Sequence, residues 1–394
     1  MLSIGIFTYS SKPRGSVVHA ACLAEALQRK GARVTLYALS KSGDDFYRAL
    51  SCELCLIPAE PAPSEVDALI RQRSAEFRAG ILRSRPRHHL CHAEDCLAGN
   101  ALVASKADLA GAALVRTVHH VEHFESPYLM DCQQRSISAV DLVLSVSELT
   151  QREVRAAFGR EAPVISNGVD LGRFAEPSAP GSSALEALEA RIGFEPGDTL
   201  ILSVGGVEPR KNTQAALAAI ELAFARHERL RWVIAGGASI WEHAAYRAEF
   251  ARRLSELPEA LRSRITVLGT VSELELTALY RRSDVLLCPS LQEGFGLCVL
   301  EAMAAQTAVI VPRGAPFDEY LDEHCASFVD PASELDIARA LLELLSEPGV
   351  RARRINEAFG RAKRHSWAEV AERHLARYES LLRRRGAAPE PPRP

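Results

Sequence analysis

A short apolar run that ends in a glycine turn and opens a helix constrains this chain more than any other stretch. Asp284 to Ser290, DVLLCPS, is rich in Val and Leu and bounded by Pro289, which reads as a strand buried on both faces of a parallel sheet. Leu297 to Gln306 then places Leu297, Leu300, Glu301 and Ala304 at helical spacing. Between them lies Glu293-Gly294-Phe295-Gly296. Such a turn directs unpaired backbone N–H groups and the positive end of a helix dipole at one point, which suits a phosphate. Glu293 precedes the turn and Glu301 follows eight residues later, about two helical turns on, so both can face one cleft from different depths. Carboxylates do not donate to phosphate, so phosphates and carboxylates in one cleft imply a ligand that also carries hydroxyls, as a nucleotide sugar does. The plainer alternative is that Glu293 only compensates the helix dipole and Glu301 is a solvated helix residue.

The 394 residues suit two domains of roughly 150 to 200 residues each. A composition of 47% hydrophobic and 25% charged residues is that of an ordinary globular protein. The net charge of −3 argues against nucleic acid as a partner. Nine cysteines, an odd number scattered through a large chain, suggest reduced thiols and a cytoplasmic setting. No run approaches about 18 uninterrupted apolar residues, so no membrane span is expected. Met1 to Thr8 is too short, and lacks the basic leader, for a signal peptide.

The first half alternates strands and helices. Ser3 to Tyr9 reads as a strand, SKPRGS as a loop, and Val18, Cys22, Leu23, Ala26 and Leu27 as one helix face closed by Gly31 before a strand at Ala32 to Leu39. This is a βαβ unit whose loop, with Gly15 and Ser16, sits where an open parallel sheet binds ligands. Glu65 to Ser84 is helical, and Arg71, Arg73, Arg78, Arg83, Arg85 and Arg87 make it basic. It fits either a solvated helix face or a peripheral contact with anionic lipid headgroups or a charged acceptor. HHLCHAEDC, His88 to Cys96, raises the question of a metal, but Cys91-x4-Cys96 is not a zinc spacing and no second pair follows, so no metal site is expected. It reads instead as a strand ending near His92, a loop, and a helix from Leu97. Cys52-x2-Cys55 lies in an apolar run and reads as packing. Ala113 to Val118 is a buried strand, and His119, His120, Glu122 and His123 follow at its carboxyl end, where ligands are met. Ordinary polar loop residues are the alternative there. Val140 to Val146 and Ala162 to Ile165 continue the strands, and Ser147 to Thr150 starts a capped helix.

Pro177 to Ser183 has linker composition, and Gly193 to Asp198 is a turn cluster. A second series of strands opens at Leu200 to Val204. Gly205-Gly206-Val207-Glu208-Pro209-Arg210-Lys211-Asn212 follows, then a helix with Ala216, Ala219, Ile220 and Ala223 at core spacing. Two glycines and an Arg-Lys pair at a strand-to-helix turn suit a diphosphate: amides supply dipoles and cations offset the charge that grows on a leaving group. Arg231 to Ala235, Arg264 to Leu268 and Ala308 to Pro312 read as further strands, and helices dominate from Pro331. The last carries Trp367, Val370, Ala371, Leu375, Tyr378 and Leu382 on one stripe.

Glu293-Gly294-Phe295-Gly296-Leu297 followed by Glu301 resembles the E-x7-E signature of retaining glycosyltransferases of GT-B architecture, in particular the GT4 family. The resemblance spans nearly the whole chain. It implies an α/β fold of two Rossmann-like domains facing across a cleft: an acceptor-binding domain at 1–175, a linker at 176–198, a nucleotide-sugar-binding domain at 199–365, a helix at 366–385 crossing back to the first domain, and a disordered tail at 386–394. It implies that the loop amides at Gly294, Phe295, Gly296 and Leu297 bind the donor diphosphate, that Glu293 lies near the donor sugar, and that Glu301 bonds the ribose. His119, in a Thr-Val-His sequence, matches the residue that approaches the transferred sugar. Lys211 matches the family's diphosphate-binding Lys. Ile165-Ser166-Asn167-Gly168-Val169-Asp170 resembles the family segment leading out of the first domain, with Ser166 for its proline.

Two departures stand out. Gly15-Ser16 replaces a Gly-Gly, and Gly206 stands where the family has Arg, so Arg210 or a residue elsewhere takes that role. The implied activity is transfer of a sugar from a UDP-, GDP- or ADP-sugar to a small-molecule, glycan or lipid-linked acceptor, retaining, by front-face attack, with no metal or other cofactor; the chain holds no Asp-x-Asp triplet. A phosphorylase, a non-catalytic nucleotide-sugar-binding protein and an NAD-dependent oxidoreductase are the rivals, the last disfavoured because no G-x-G-x-x-G occurs.

Overall fold

In a computed structural model the described residues are 1–41, 43, 45–175, 183–237 and 243–386. They fall into two compact units. One is Met1–Gly168 with the C-terminal helix Trp367–Arg384, and the other is Val169–Ser366.

The first unit holds six parallel strands: β1 Ser3–Thr8, β2 Arg33–Lys41, β3 Glu53–Ala59, β4 Leu90–Ala93, β5 Ala113–Val118 and β6 Leu142–Ser145. Their order is β3-β2-β1-β4-β5-β6. Chain order reverses between β1 and β4, and ligands of open α/β sheets bind beyond the carboxyl ends of strands at such a point. β5 is buried at every residue, as expected of a strand covered on both faces. Phe7 stacks on Tyr37 with ring centroids 4.4 Å apart and lies among Leu39, Phe77, Cys91, Leu114 and Val143. Each such large side chain, fully buried, contributes roughly 1.5–3 kcal/mol. The C-terminal helix packs on the helix Gly15–Arg29. It buries Trp367, Val370, Ala371, Tyr378, Leu381 and Leu382, and with them His374, a polar member of the stripe that hydrophobic periodicity does not mark.

The second unit repeats the plan with β7 Thr199–Val204, β8 Leu230–Ala235, β9 Ile265–Gly269, β10 Val285–Leu287, β11 Ala308–Pro312 and β12 Ser327–Val329. The order is β12-β11-β10-β7-β8-β9, all parallel, so the reversal lies between β7 and β10. Trp232 is fully buried and its indole N–H donates to Ser203 Oγ at 3.0 Å.

Three local expectations are corrected. β10 is shorter than Asp284 to Ser290, because Pro289 has no N–H for the ladder. Ala162 to Ile165 forms only a bridge, Ser145 to Val164, beside β6. The stretch read as a linker at 176–198 holds a helix, Ser183–Ile192, whose Leu188 and Ile192 are each 2% exposed and which packs on the helix Glu273–Arg282. The linker residues 176–182, and the tail from 387 onward, lie outside the described residues.

Candidate functional site

In the second unit the loops after β7 and β10 flank the point where strand order reverses, and they carry Lys211 and Glu293. The loop after β7 turns through a 3-10 segment, Pro209–Lys211, into the helix Thr213–Phe224. Asn212, in the left-handed conformation at φ 55°, donates through Nδ2 to Pro289 O at 3.2 Å and Pro331 O at 2.7 Å, tying the two loops together. Leu291 N–H donates to Arg210 O at 2.8 Å. The loops thus hold Lys211 Nζ in an ion pair with Glu293 Oε1, the side chains being 12% and 11% exposed. Ser290 Oγ donates to the same oxygen at 3.1 Å, and Arg210 Nη1 lies 3.4 Å from it. Burial alone would raise the Glu293 pKa, but the Lys211 and Arg210 charges override it and bring it down to about 2. Burial works against the Lys211 ammonium, and Glu293 more than compensates, raising its pKa. The site is therefore a charged pair held largely out of solvent.

The glycines shape it. Gly205 sits at φ +133°, and a Cβ there would meet Lys211 Cε at 2.7 Å. Gly206 is buried, and a Cβ there would meet Gly237 O at 2.6 Å and Glu208 Oε1 at 3.2 Å. The absence of the family's Arg at this position thus has a packing reason: the backbones of two loops approach too closely for any side chain. Gly296, at φ +91°, caps the eight-residue helix Leu297–Ala304. Gly294 and Leu297 are half-buried beside it. Phe295 is buried and stacks on Tyr320 at 4.8 Å. It is thus a support of the turn rather than an exposed aromatic. Cys288 and Cys298 hydrogen-bond to each other below the turn; that bond first, and Lys211 next, bring the Cys288 thiol down to about 7.

Glu301 lies further along that same helix, Leu297–Ala304. Its Oε1 accepts from Arg173 Nη1 at 3.1 Å and its Oε2 from the Tyr280 hydroxyl at 2.8 Å. Burial, opposed mainly by Arg173, leaves its pKa raised. Each carboxylate oxygen keeps a second lone pair, so a ribose hydroxyl can still be accepted. Arg173, Tyr280, Ser290 and Asn212 carry no signature of their own in the sequence. Only the fold brings them to the motif.

In the first unit the helix after β1 and the loops after β4 and β5 supply a different cluster. His19, on the helix Gly15–Arg29, and Glu94, just after β4, have fully buried side chains. His119, just after β5, is 14% exposed as a side chain, and its Nε2 lies 3.0 Å from Glu94 Oε2. His19 Nδ1 lies 3.0 Å from the same oxygen. These three residues are the one group among the described residues with the donor set of a metal site. His120 is paired with Glu122 at 2.7 Å on the surface, apart from the cluster. Gly15 is exposed with open space around it, and Ser16 is half-buried in the first helical turn. Of the basic stretch, Arg71 lies 3.5 Å over the Tyr128 ring, Arg73 is buried against Glu76, and Arg78 Nε donates to Ala104 O at 3.3 Å. Those three cations are committed internally. Among the described residues no helix is long and apolar enough to cross a membrane.

This architecture is that of the GT-B glycosyltransferases. It superposes on Anabaena HepE in complex with UDP-glucose with a TM-score of 0.77, at 18% identity, covering 96% of this chain and 100% of that one. Sucrose-phosphate synthase from Thermosynechococcus elongatus gives a TM-score of 0.78, also at 18% identity, covering 98% and 100%. Residues 186–361 match the family model of Glycosyl transferases group 1, and residues 13–173 that of Glycosyltransferase Family 4. A D-inositol 3-phosphate glycosyltransferase of Rhodococcus jostii is 31% identical over 77% of this chain and 70% of its own length. One from Xylanimonas cellulosilytica is 27% identical over 95% and 93%. The chain belongs to glycosyltransferase family 4 and is a glycosyltransferase.

Proposed function

We propose that the protein transfers a sugar from a nucleoside-diphosphate sugar to a hydroxyl of its acceptor, with retention of anomeric configuration and without a metal ion. The observation that carries this reading is the largely buried Lys211–Glu293 pair, set between two glycine turns at the reversal point of the second sheet. In that reading Lys211 turns to the diphosphate and Arg210, 47% exposed, joins it as the second cation in the stead of the missing Arg at 206. The amides of Gly205 and of Gly294 to Leu297 add dipoles, Gly15 and Ser16 serve the phosphates from the first unit, and Glu301 accepts from the ribose. The bond from the anomeric carbon to phosphate oxygen breaks, the acceptor oxygen bonds to the same face, and the acceptor proton passes to the departing phosphate oxygen. Lys211 offsets the charge that grows there, while Glu293 and His119 hold the sugar.

The test is thermal stabilisation by UDP, GDP, ADP and NAD. A ligand at 100 times its dissociation constant adds about 2.7 kcal/mol. One nucleoside diphosphate should stand out, and Lys211→Ala should abolish its shift. Stabilisation by NAD alone, or by none of the four, overturns the reading. The name of the Rhodococcus relative makes inositol 3-phosphate the first acceptor to assay with the matching donor.

A further inference from the structure

Glu94 is a carboxylate with no exposed surface, enclosed by imidazoles. His19 and His119 approach its Oε2 at 3.0 Å each, and His92 Nε2 lies 3.7 Å from its Oε1. His374 completes the ring, 6.2 Å from His19 and 5.8 Å from His92 between centroids. Burying an ion costs several kcal/mol unless it is well partnered. Burial would raise the Glu94 pKa, but His19, His92 and the bond from His119 override this and hold it well below the ordinary range. An ionised carboxylate only accepts, so the ring nitrogen facing it must carry a proton. Burial brings His119 down to about 4, which leaves it neutral near pH 7 with a single N–H. That N–H is on Nε2, toward Glu94. Nδ1 is then a bare acceptor.

We infer that Glu94, fully buried, is a positioning residue that fixes His119 as the Nε2–H tautomer, so that Nδ1 accepts a hydrogen bond from a hydroxyl of the transferred sugar. The inference deepens the reading of His119 under the proposed function and rests on it. His92 is held apart from this role: its Nδ1 meets the Tyr378 hydroxyl and its Nε2 the Thr117 hydroxyl, both at 2.7 Å. It forms part of the wall. The orphaned atoms lie inside the cluster, at both nitrogens of His19, Nε2 of His374 and Oε1 of Glu94.

Long-range proton–nitrogen NMR of the full chain with labelled histidine reads the tautomer directly, with His119 assigned from the spectrum of His119→Asn. The wild type should show His119 neutral and protonated on Nε2 from pH 8 to about 5. Glu94→Gln, whose amide can also donate, should mix the tautomers and lower kcat about tenfold or more. It should leave the thermal shift by the nucleoside diphosphate unchanged, since Lys211 and Glu293 lie in the second unit. Glu94→Asp should keep the tautomer and recover part of kcat. The wild-type spectrum needs no variant, so a Glu94→Gln protein that fails to fold does not remove the test. His119 protonated on Nδ1, or a Glu94→Gln enzyme with unchanged kcat, overturns the inference. So does stoichiometric zinc uptake by the wild type that His19→Gln abolishes, which would make the cluster a metal site. Should no nucleoside diphosphate bind, the transferase donor reading fails, while the spectrum still decides whether Glu94 sets the tautomer.

Discussion

Lys211→Met removes the ammonium from the second-unit site and keeps most of the apolar stem. In the wild type the Glu293 carboxyl titrates at about 2 rather than its ordinary 4.5, burial being overridden by Lys211 and Arg210. At about 1.36 kcal/mol for each pH unit, that depression corresponds to about 3 kcal/mol of stability at neutral pH. The folded-state pKa lies below the unfolded one, so this stability is fully present above about pH 5.5 and is lost on acidification. At pH 3 about 1.4 kcal/mol of it remains. Without Lys211 the buried carboxylate keeps only Ser290 and the half-exposed Arg210, and such a loss costs about 3–5 kcal/mol at pH 7. Burial then dominates and moves the Glu293 pKa above 4.5, so lowering the pH relieves the variant while it weakens the wild type. The deficit between the two should therefore narrow from pH 7 to pH 4. Hydrogen exchange of the β7 and β10 amides reports opening of the second unit by itself. A deficit under about 1 kcal/mol at pH 7, or one that stays constant with pH, refutes the claim that Lys211 holds the charge on Glu293.

Other positions give sharp outcomes. Gly206→Arg, which would restore the family residue, should destabilise the second unit by about 1–3 kcal/mol, because its Cβ would lie 2.6 Å from Gly237 O; a raised melting temperature would count against the packing argument. Tyr280→Phe leaves Glu301 Oε2 without its 2.8 Å donor and should cost about 1–3 kcal/mol in urea unfolding. It should also raise the Glu301 pKa further, since that hydrogen bond lowers it. Tyr378→Phe removes the buried partner of His92 Nδ1 and should cost a similar amount in the first unit, with nucleotide binding unaltered.

What the sequence made legible is what lies close along the chain. Glu293, Gly294, Gly296 and Glu301 occupy one strand-turn-helix unit, and Lys211 follows two glycines in another, so spacing and turn chemistry expose them. The two parallel sheets were likewise readable, because buried strands print as short apolar runs between helical periods. Glu94 and His19 were not singled out. They stand 75 residues apart on separate elements, and only the β3-β2-β1-β4-β5-β6 order brings them to His119. Arg173 was hidden for the same reason, reaching Glu301 from 128 residues away. At Gly206 the sequence exposed a departure without its cause, since the approach of Gly237 belongs to a different loop. Leu188 and Ile192 show the opposite failure: proline, serine and glycine upstream drew attention to a linker and masked a short amphipathic helix.

The two units share one topology yet differ in the chemistry placed at its reversal point, and that difference separates their tasks. The second unit puts Gly205 at φ +133° and Gly296 at φ +91°, with Lys211 and Arg210 alongside: backbone amides brought close and two cations, which is what a phosphate requires. The first unit puts no positive-φ glycine just beyond the carboxyl ends of β1, β4 or β5, and gathers a carboxylate and imidazoles instead. The carboxylate repels phosphate, and both it and an unprotonated imidazole nitrogen accept from hydroxyls. In the proposed reading the second unit supplies the cations and most of the amides that meet the diphosphate, while the first supplies the groups suited to sugar hydroxyls. Glu94→Gln and Lys211→Met separate the two: the former should alter the ranking of donors that share a nucleotide, while the latter should weaken all of them alike.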